Sequence, residues 1–174
     1  MRSLDARLLL IARTRAHSRR CERAVAAFSR LGEHGAVWLA IGTAGALADL
    51  RSVAGEQERP RGFRRARRTV LATYALNTAI KLVVRRPRPQ LDGLPALATT
   101  PSALSFPSAH ASTSLAGAVT YSRLGLAPLP LYSLAAALSL SRIYLGVHYP
   151  SDVAAGALLG GAVGRLRSRA GATR

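Results

Sequence analysis

Residues 127–147 read APLPLYSLAAALSLSRIYLGV, an apolar run of 21 positions whose only charge is Arg142. A helix needs about 20 mostly apolar residues to cross a bilayer, and this run has them. Further apolar stretches lie on either side, at residues 34–50, 69–84, 108–122 and 153–164. They are shorter and rich in Ala, Gly, Ser and Thr, the residues that let helices approach closely inside a membrane bundle. Gly156, Gly160 and Gly164 repeat every fourth position and form one such small face. A soluble bundle with an Ala-rich core is the competing reading, but long stretches of the second half offer no charged face to water. Alternation typical of strands is absent. We therefore expect an all-α integral membrane helical bundle of about five transmembrane helices plus an N-terminal amphipathic helix. Pro87, Pro89, Pro95, Pro101 and Pro107 make residues 85–107 a long loop between two helices, and loops of that length are usually functional or disordered.

The composition narrows the partners. The 174 residues include 25 Lys and Arg, of which only Lys81 is lysine, against 8 acids, for a net charge of +17. With 49% apolar residues the chain is no disordered basic tail, and the single Cys21 excludes a disulfide scaffold. The length fits one domain. A strongly basic chain pairs with phosphate in some form: nucleic acid, an anionic membrane surface or a phosphorylated small molecule. Eight of the arginines fall in the first thirty residues, among Leu8, Leu9, Leu10, Ile11, Val25 and Phe28. That is too many for a span and suits an interfacial helix against anionic lipid. A secretory signal is not expected, because the apolar run from Leu8 is short and no small-residue cleavage site follows it.

Ionisable residues inside or beside apolar helices are expensive and point to function. Three clusters qualify: KLVVRRPRP at 81–89, FPSAH at 106–110 and SRIYLGVHYPSD at 141–152. Pro107 and Ser108 before Ala109 and His110 suggest a helix start, whose free N–H groups favour an anion. His148 and Asp152 are four apart, with Pro150 suited to the first turn of the last helix, and a carboxylate near an imidazole can fix its tautomer. Arg142 in apolar surroundings needs an anionic partner. Lys81, Arg88 and Arg142 against Asp152 leave a hole of about two positive charges, which a phosphate monoester dianion fits. His148 backed by Asp152 can attack phosphorus, and His110 can protonate the leaving alkoxide. Singly, each residue has a plainer reading: a snorkelling Lys81, a solvated or lipid-facing basic run at Arg85, Arg86 and Arg88, structural histidines, and Asp152 as a helix cap. Taken together, the chain's last two histidines and last acid all falling in these clusters argues against that.

The ordered clusters resemble the type 2 phosphatidic acid phosphatase superfamily, with its K-x6-R-P, P-S-G-H and S-R-x5-H-x3-D motifs. Lys81 and Arg88-Pro89 match the first; Pro107, Ser108 and His110 match the second, with Ala109 in place of Gly; Ser141, Arg142, His148 and Asp152 match the third. The resemblance spans about residues 34–166. It implies that Lys81, Arg88, Arg142, Ser108, Ser141 and the Ala109 backbone bind substrate phosphate. His148 would form a phosphohistidine, Asp152 would be its partner, and His110 would serve as general acid and then base. It further implies a helical-bundle core, a metal-independent reaction without cofactor, and a membrane lipid phosphate as substrate, of polyprenyl or glycerol type.

The chain accordingly divides into a basic amphipathic segment (1–33), a membrane phosphatase domain (34–166) and a basic tail (167–174). Partners are the phosphorylated lipid and anionic membrane lipids. A phosphotransferase passing phosphate to an alcohol is the nearest alternative. A vanadate-holding haloperoxidase shares the constellation but belongs to large soluble relatives. A nucleic-acid-binding protein is disfavoured because the aromatics do not interleave with the arginines. The expected location is the cell membrane, multi-pass. Arginine counts on the two sides nearly balance and do not choose an orientation; the resemblance leans toward an extracytoplasmic site.

Overall fold

A computed structural model describes residues 4–15, 17–49 and 58–172. Two helices, α1 (Leu4–Thr14) and α2 (Arg19–Arg30), lead through a short 3-10 turn at Glu33–Gly35 into α3 (Ala36–Asp49), α4 (Glu58–Val84), α5 (Ala109–Ser122), α6 (Pro128–Tyr144) and α7 (Pro150–Ala172). The five later helices form the bundle, and α1 and α2 pack against α6, with α1 also touching α7. The basic N-terminal segment, readable as one or two amphipathic helices, forms two: Ser18 is extended, and its hydroxyl accepts from the Cys21 N–H at 3.2 Å to start α2.

Helix α5 occupies the centre, packed against α7, α6 and α4. Its sequence explains why. Ten of its fourteen residues are Ala, Gly, Ser or Thr, and most of the helix is buried. The hydroxyls need no outside partner: Thr113 donates to the Ala109 carbonyl and Thr120 to the Ala116 carbonyl, each at 2.8 Å. The glycine face expected on the last helix is where α7 meets α5. A Cβ added at Gly156 would strike the Ser108 carbonyl, and one at Gly160 the Ser112 carbonyl. On the other flank α3 is keyed in by Trp38, fully buried over Gly117. Its indole donates to Ser114 Oγ at 3.0 Å, and its carbonyl accepts from the Tyr121 hydroxyl at 2.7 Å.

Helix lengths depart from the apolar runs in both directions. The 21-residue run yields only the 17-residue α6, because Leu145–Tyr149 turn back at Gly146, whose φ is +72°. Conversely α4 starts at Glu58, well ahead of the apolar stretch, where arginines carry the helix and Phe63 and Ala66, at helical spacing from Val70, are buried in the core. Among the described residues no helix is long and apolar enough to cross a membrane. Arginines crowd the first half of α4 and the end of α7, and these lie at the end of the bundle away from the three sequence clusters.

Candidate active site

The C-terminal ends of α4 and α6, the N-terminal ends of α5 and α7, and the 85–108 loop all meet at one end of the bundle. The loop is held by an antiparallel bridge between Pro87 and Leu104 and by hydrogen bonds from Arg88 N to the Ala103 carbonyl (3.1 Å) and from Ser105 N to the Arg86 carbonyl (2.8 Å). Lys81, Arg88, Ala109, His110, Arg142 and His148 line one cavity of about 170 Å³ there. Ser108, Ser141 and Asp152 lie behind the wall, all buried. Ser108 Oγ has no partner, while its N–H donates to the Asp152 carbonyl at 2.9 Å and ties the starts of α5 and α7 together.

Two of the cations, Lys81 and Arg88, are held by backbone oxygens. Lys81 Nζ donates to the Leu104 carbonyl at 3.0 Å. Arg88 donates from Nε to the Ser102 carbonyl at 2.8 Å and from Nη1 to the Val147 carbonyl at 2.7 Å. Such neutral acceptors fix the guanidinium without cancelling its charge, leaving it for an anion. Burial lowers the Arg88 pKa to about 10, so it still carries its proton at neutral pH.

Arg88 also sets the tautomer of His148. Its Nη1 lies 3.2 Å from His148 Nε2, and since a guanidinium only donates, Nε2 must present its lone pair. The ring proton is then on Nδ1, facing Asp152 Oδ2 at 3.5 Å, a polar contact too long for a formed hydrogen bond. Burial, with Arg88 and Arg142 nearby, pushes the His148 pKa down to about 4 against the pull of Asp152. The imidazole is neutral at physiological pH, as a nucleophile must be.

Asp152 fills both of its sequence readings. Its Oδ2 accepts from the Tyr149 N–H at 2.8 Å, capping α7 from the third position, while it faces His148. Its charge is not balanced by the three cavity cations, as the sequence count had it. Arg86 Nη1 meets Oδ1 at 2.8 Å instead, so Arg86 is no solvated basic run: its guanidinium stacks 4.1 Å from the Tyr149 ring centre and also binds Asp5. The acid that does line the cavity is Glu33, alongside His34, Tyr74, Asn77 and Thr78. His34 Nδ1 and the Tyr74 hydroxyl are hydrogen-bonded at 2.8 Å.

Sequence reasoning also missed Ser29. Its hydroxyl accepts from Arg142 Nη1 at 2.7 Å and from Ser141 Oγ at 3.0 Å, and its carbonyl accepts from His110 Nε2 at 3.0 Å. No spacing rule links positions 81 and 113 residues apart; adjacency to the basic helix was the only clue, and it suggested lipid contact.

An all-helical bundle with a cation-lined pocket over a neutral histidine is the setting of a phosphoric monoester hydrolase. The chain belongs to the PAP2 superfamily, whose family model matches residues 68–174, and it is a phosphatase. It is 41% identical over 146 residues to the decaprenylphosphoryl-5-phosphoribose phosphatase of Mycobacterium tuberculosis H37Rv, covering 84% of this chain and 78% of the relative. The enzyme of the same name from Mycolicibacterium smegmatis is 40% identical over 130 residues, 75% of this chain and 68% of the relative. Among solved structures, a transmembrane PAP2-type phosphatidylglycerolphosphate phosphatase from Bacillus subtilis superposes with a TM-score of 0.75 at 20% identity, over 97% of this chain and 85% of that one. LpxE of Aquifex aeolicus does so with a TM-score of 0.69 at 20% identity, over 97% and 96%. These last two likenesses speak for the fold.

Proposed function

We propose that this protein is an integral membrane phosphatase that removes a terminal phosphate monoester from a polyprenyl-linked sugar phosphate through a phosphohistidine. The observation that carries the reading is the cavity in which Lys81, Arg88 and Arg142 surround the lone-pair nitrogen of His148. The three cations and the Ala109 N–H at the start of α5 hold the phosphate oxygens. His148 Nε2 attacks phosphorus, the P–O bond to the lipid breaks, and His110 gives its proton to the departing oxygen. Because His110 Nε2 donates to the Ser29 carbonyl, Nδ1 makes that transfer, and it carries a proton to give only in the imidazolium form, which the bound phosphate dianion favours. His110 Nδ1 then takes a proton from water, whose oxygen attacks phosphorus, breaks its bond to His148 Nε2 and releases inorganic phosphate. Asp152 steadies the positive charge that develops on His148.

Two features support the substrate class. Glu33, Tyr74, Asn77 and Thr78 place hydrogen-bonding side chains in the cavity wall, beside Leu82, Pro101 and Leu104. A carboxylate there repels phosphate but accepts sugar hydroxyls, which suits the phosphoribose group named for the mycobacterial relatives better than a diacylglycerol phosphate. Outside, Leu71, Leu76, Leu82 and Val83 of α4, Leu129 and Leu140 of α6 and Leu158 of α7 are exposed, an apolar exterior suited to acyl or prenyl chains.

Phosphate release from a polyprenylphosphoryl-phosphoribose, from phosphatidate and from phosphatidylglycerolphosphate, measured in detergent with a chelator present, tests this. The sugar phosphate should be preferred, and His148→Ala should abolish release and the acid-labile phosphoenzyme. Undiminished release by that variant sinks the mechanism. Transfer to an added alcohol in place of water would make the protein a phosphotransferase, and recovery in the soluble fraction with nucleic acid would remove it from the membrane.

A further inference from the structure

The N-terminal segment lies outside the residues that match the family model, yet it reaches the site at both ends. In the first turn of α1, Asp5 Oδ1 accepts from the Ser151 N–H at 3.0 Å, capping α7, and Oδ2 meets Arg86 Nη2 at 2.8 Å and the Ser151 hydroxyl. The other amine of Arg86 holds Asp152. One carboxylate of α1 thus fixes both the helix start that carries Asp152 and the arginine that orients it. In the last turn of α2, Ser29, 1% exposed, takes hydrogen bonds from Arg142, Ser141 and His110. Between them Arg13, 4% exposed, donates to the Pro95 carbonyl at 2.8 Å and the Tyr144 carbonyl at 3.3 Å, pinning the long loop and the end of α6.

An interfacial anchor would turn its polar side chains to water and lipid head groups. Here three polar side chains of the segment turn inward, and two of them meet residues that hold or face the phosphate pocket. We propose that residues 4–31 are a built-in part of the catalytic apparatus, with Asp5 and Ser29 as positioning residues: Asp5 acts on His148 through Arg86 and Asp152, and Ser29 acts on the phosphate clamp through Arg142. This rests on the phosphatase reading above. The two residues should therefore affect different kinetic constants, since one serves the nucleophile and the other the binding of phosphate.

The test uses the full chain in detergent, where anchoring to a bilayer no longer matters. Asp5→Asn should lower kcat about tenfold with KM within about twofold, the scale of one charge-assisted hydrogen bond. Ser29→Ala should raise KM and weaken binding of inorganic phosphate, read by calorimetry, by about five- to tenfold, and Ser29→Thr, which keeps the hydroxyl, should recover most of it. Thermal midpoints locate any general loss of fold, and Arg86→Gln should reproduce Asp5→Asn without further loss in the double variant. Wild-type kcat, KM and phosphate affinity in both Asp5→Asn and Ser29→Ala would overturn the proposal and leave the segment an anchor. So would a Ser29→Thr variant as impaired as Ser29→Ala. Failure of the wild type to release phosphate from any lipid would instead sink the phosphatase reading, and the calorimetric arm would still decide on Ser29.

Discussion

Arg86 and His148 approach Asp152 from opposite sides: Arg86 Nη1 is 2.8 Å from Oδ1, and His148 Nδ1 is 3.5 Å from Oδ2. The carboxylate therefore has a fixed orientation before substrate arrives, and the arginine that fixes it is not one of the three cations, Lys81, Arg88 and Arg142, that line the phosphate pocket. Arg86→Ala should lower kcat about tenfold with little change in phosphate affinity, since a buried carboxylate would lose its charged partner. Arg88→Ala should weaken phosphate binding itself. Steady-state kinetics and calorimetry separate the two.

The depressed pKa of His148 has a pH consequence. With the folded value near 4 and the free value at 6.5, the unfolded chain binds the proton more readily between those pH values. The contribution of neutral His148 to stability is thus complete above about pH 6.5 and declines as pH falls toward 4. An NMR titration of the imidazole nitrogens, assigned with His148→Ala, should show a midpoint near 4. Arg88→Gln should raise that midpoint by removing a neighbouring positive charge. A midpoint of 6.5 in the wild type would contradict the burial described here.

Contact between α7 and the α5 backbone makes Gly160 a stringent position. Gly160→Leu should destabilise the bundle by at least the 1–3 kcal/mol typical of overpacking, because the Ser112 carbonyl occupies the space a Cβ would need. Ala162→Leu, on the exposed face of the same helix, should leave the melting temperature within about 2 °C, as surface changes usually do.

Cys21 is a natural reporter of orientation. It is the chain's single cysteine, exposed on α2, the helix whose last turn touches Arg142 and His110. A membrane-impermeant maleimide should therefore label Cys21 from the side that the active site faces. In intact cells we expect labelling without permeabilisation; labelling that requires permeabilisation would put the site in the cytoplasm.

Glu33 is the acid of the cavity wall. Glu33→Gln should tighten inorganic phosphate about three- to tenfold by removing a like charge, and it should narrow the preference for a sugar phosphate over phosphatidate. Competition assays with the two lipids measure that ratio.

What one sequence determined here is local or regularly spaced. Helix faces repeat every three or four residues, so the apolar runs and the Gly156, Gly160, Gly164 stripe disclosed the helical core and how α7 could approach a neighbour. Motif spacing likewise marked Lys81, Arg88, His110, Arg142 and His148, which the fold brings around one cavity. Helix ends were less legible, since arginines continue α4 and a glycine turn shortens α6 without changing the apolar pattern.

Only the tertiary structure decided which charges meet. Asp5 finds Arg86 across 81 positions and Ser29 finds Arg142 across 113, and such pairings leave no periodicity to read because they depend on where whole helices dock. Beyond Lys81, Arg88 and Arg142, the basic residues therefore looked alike as a string: Arg86 and Arg13 were indistinguishable from lipid-facing neighbours. Burial and a partner within hydrogen-bonding distance, properties of the folded chain alone, separate those that build the site from those that face outward.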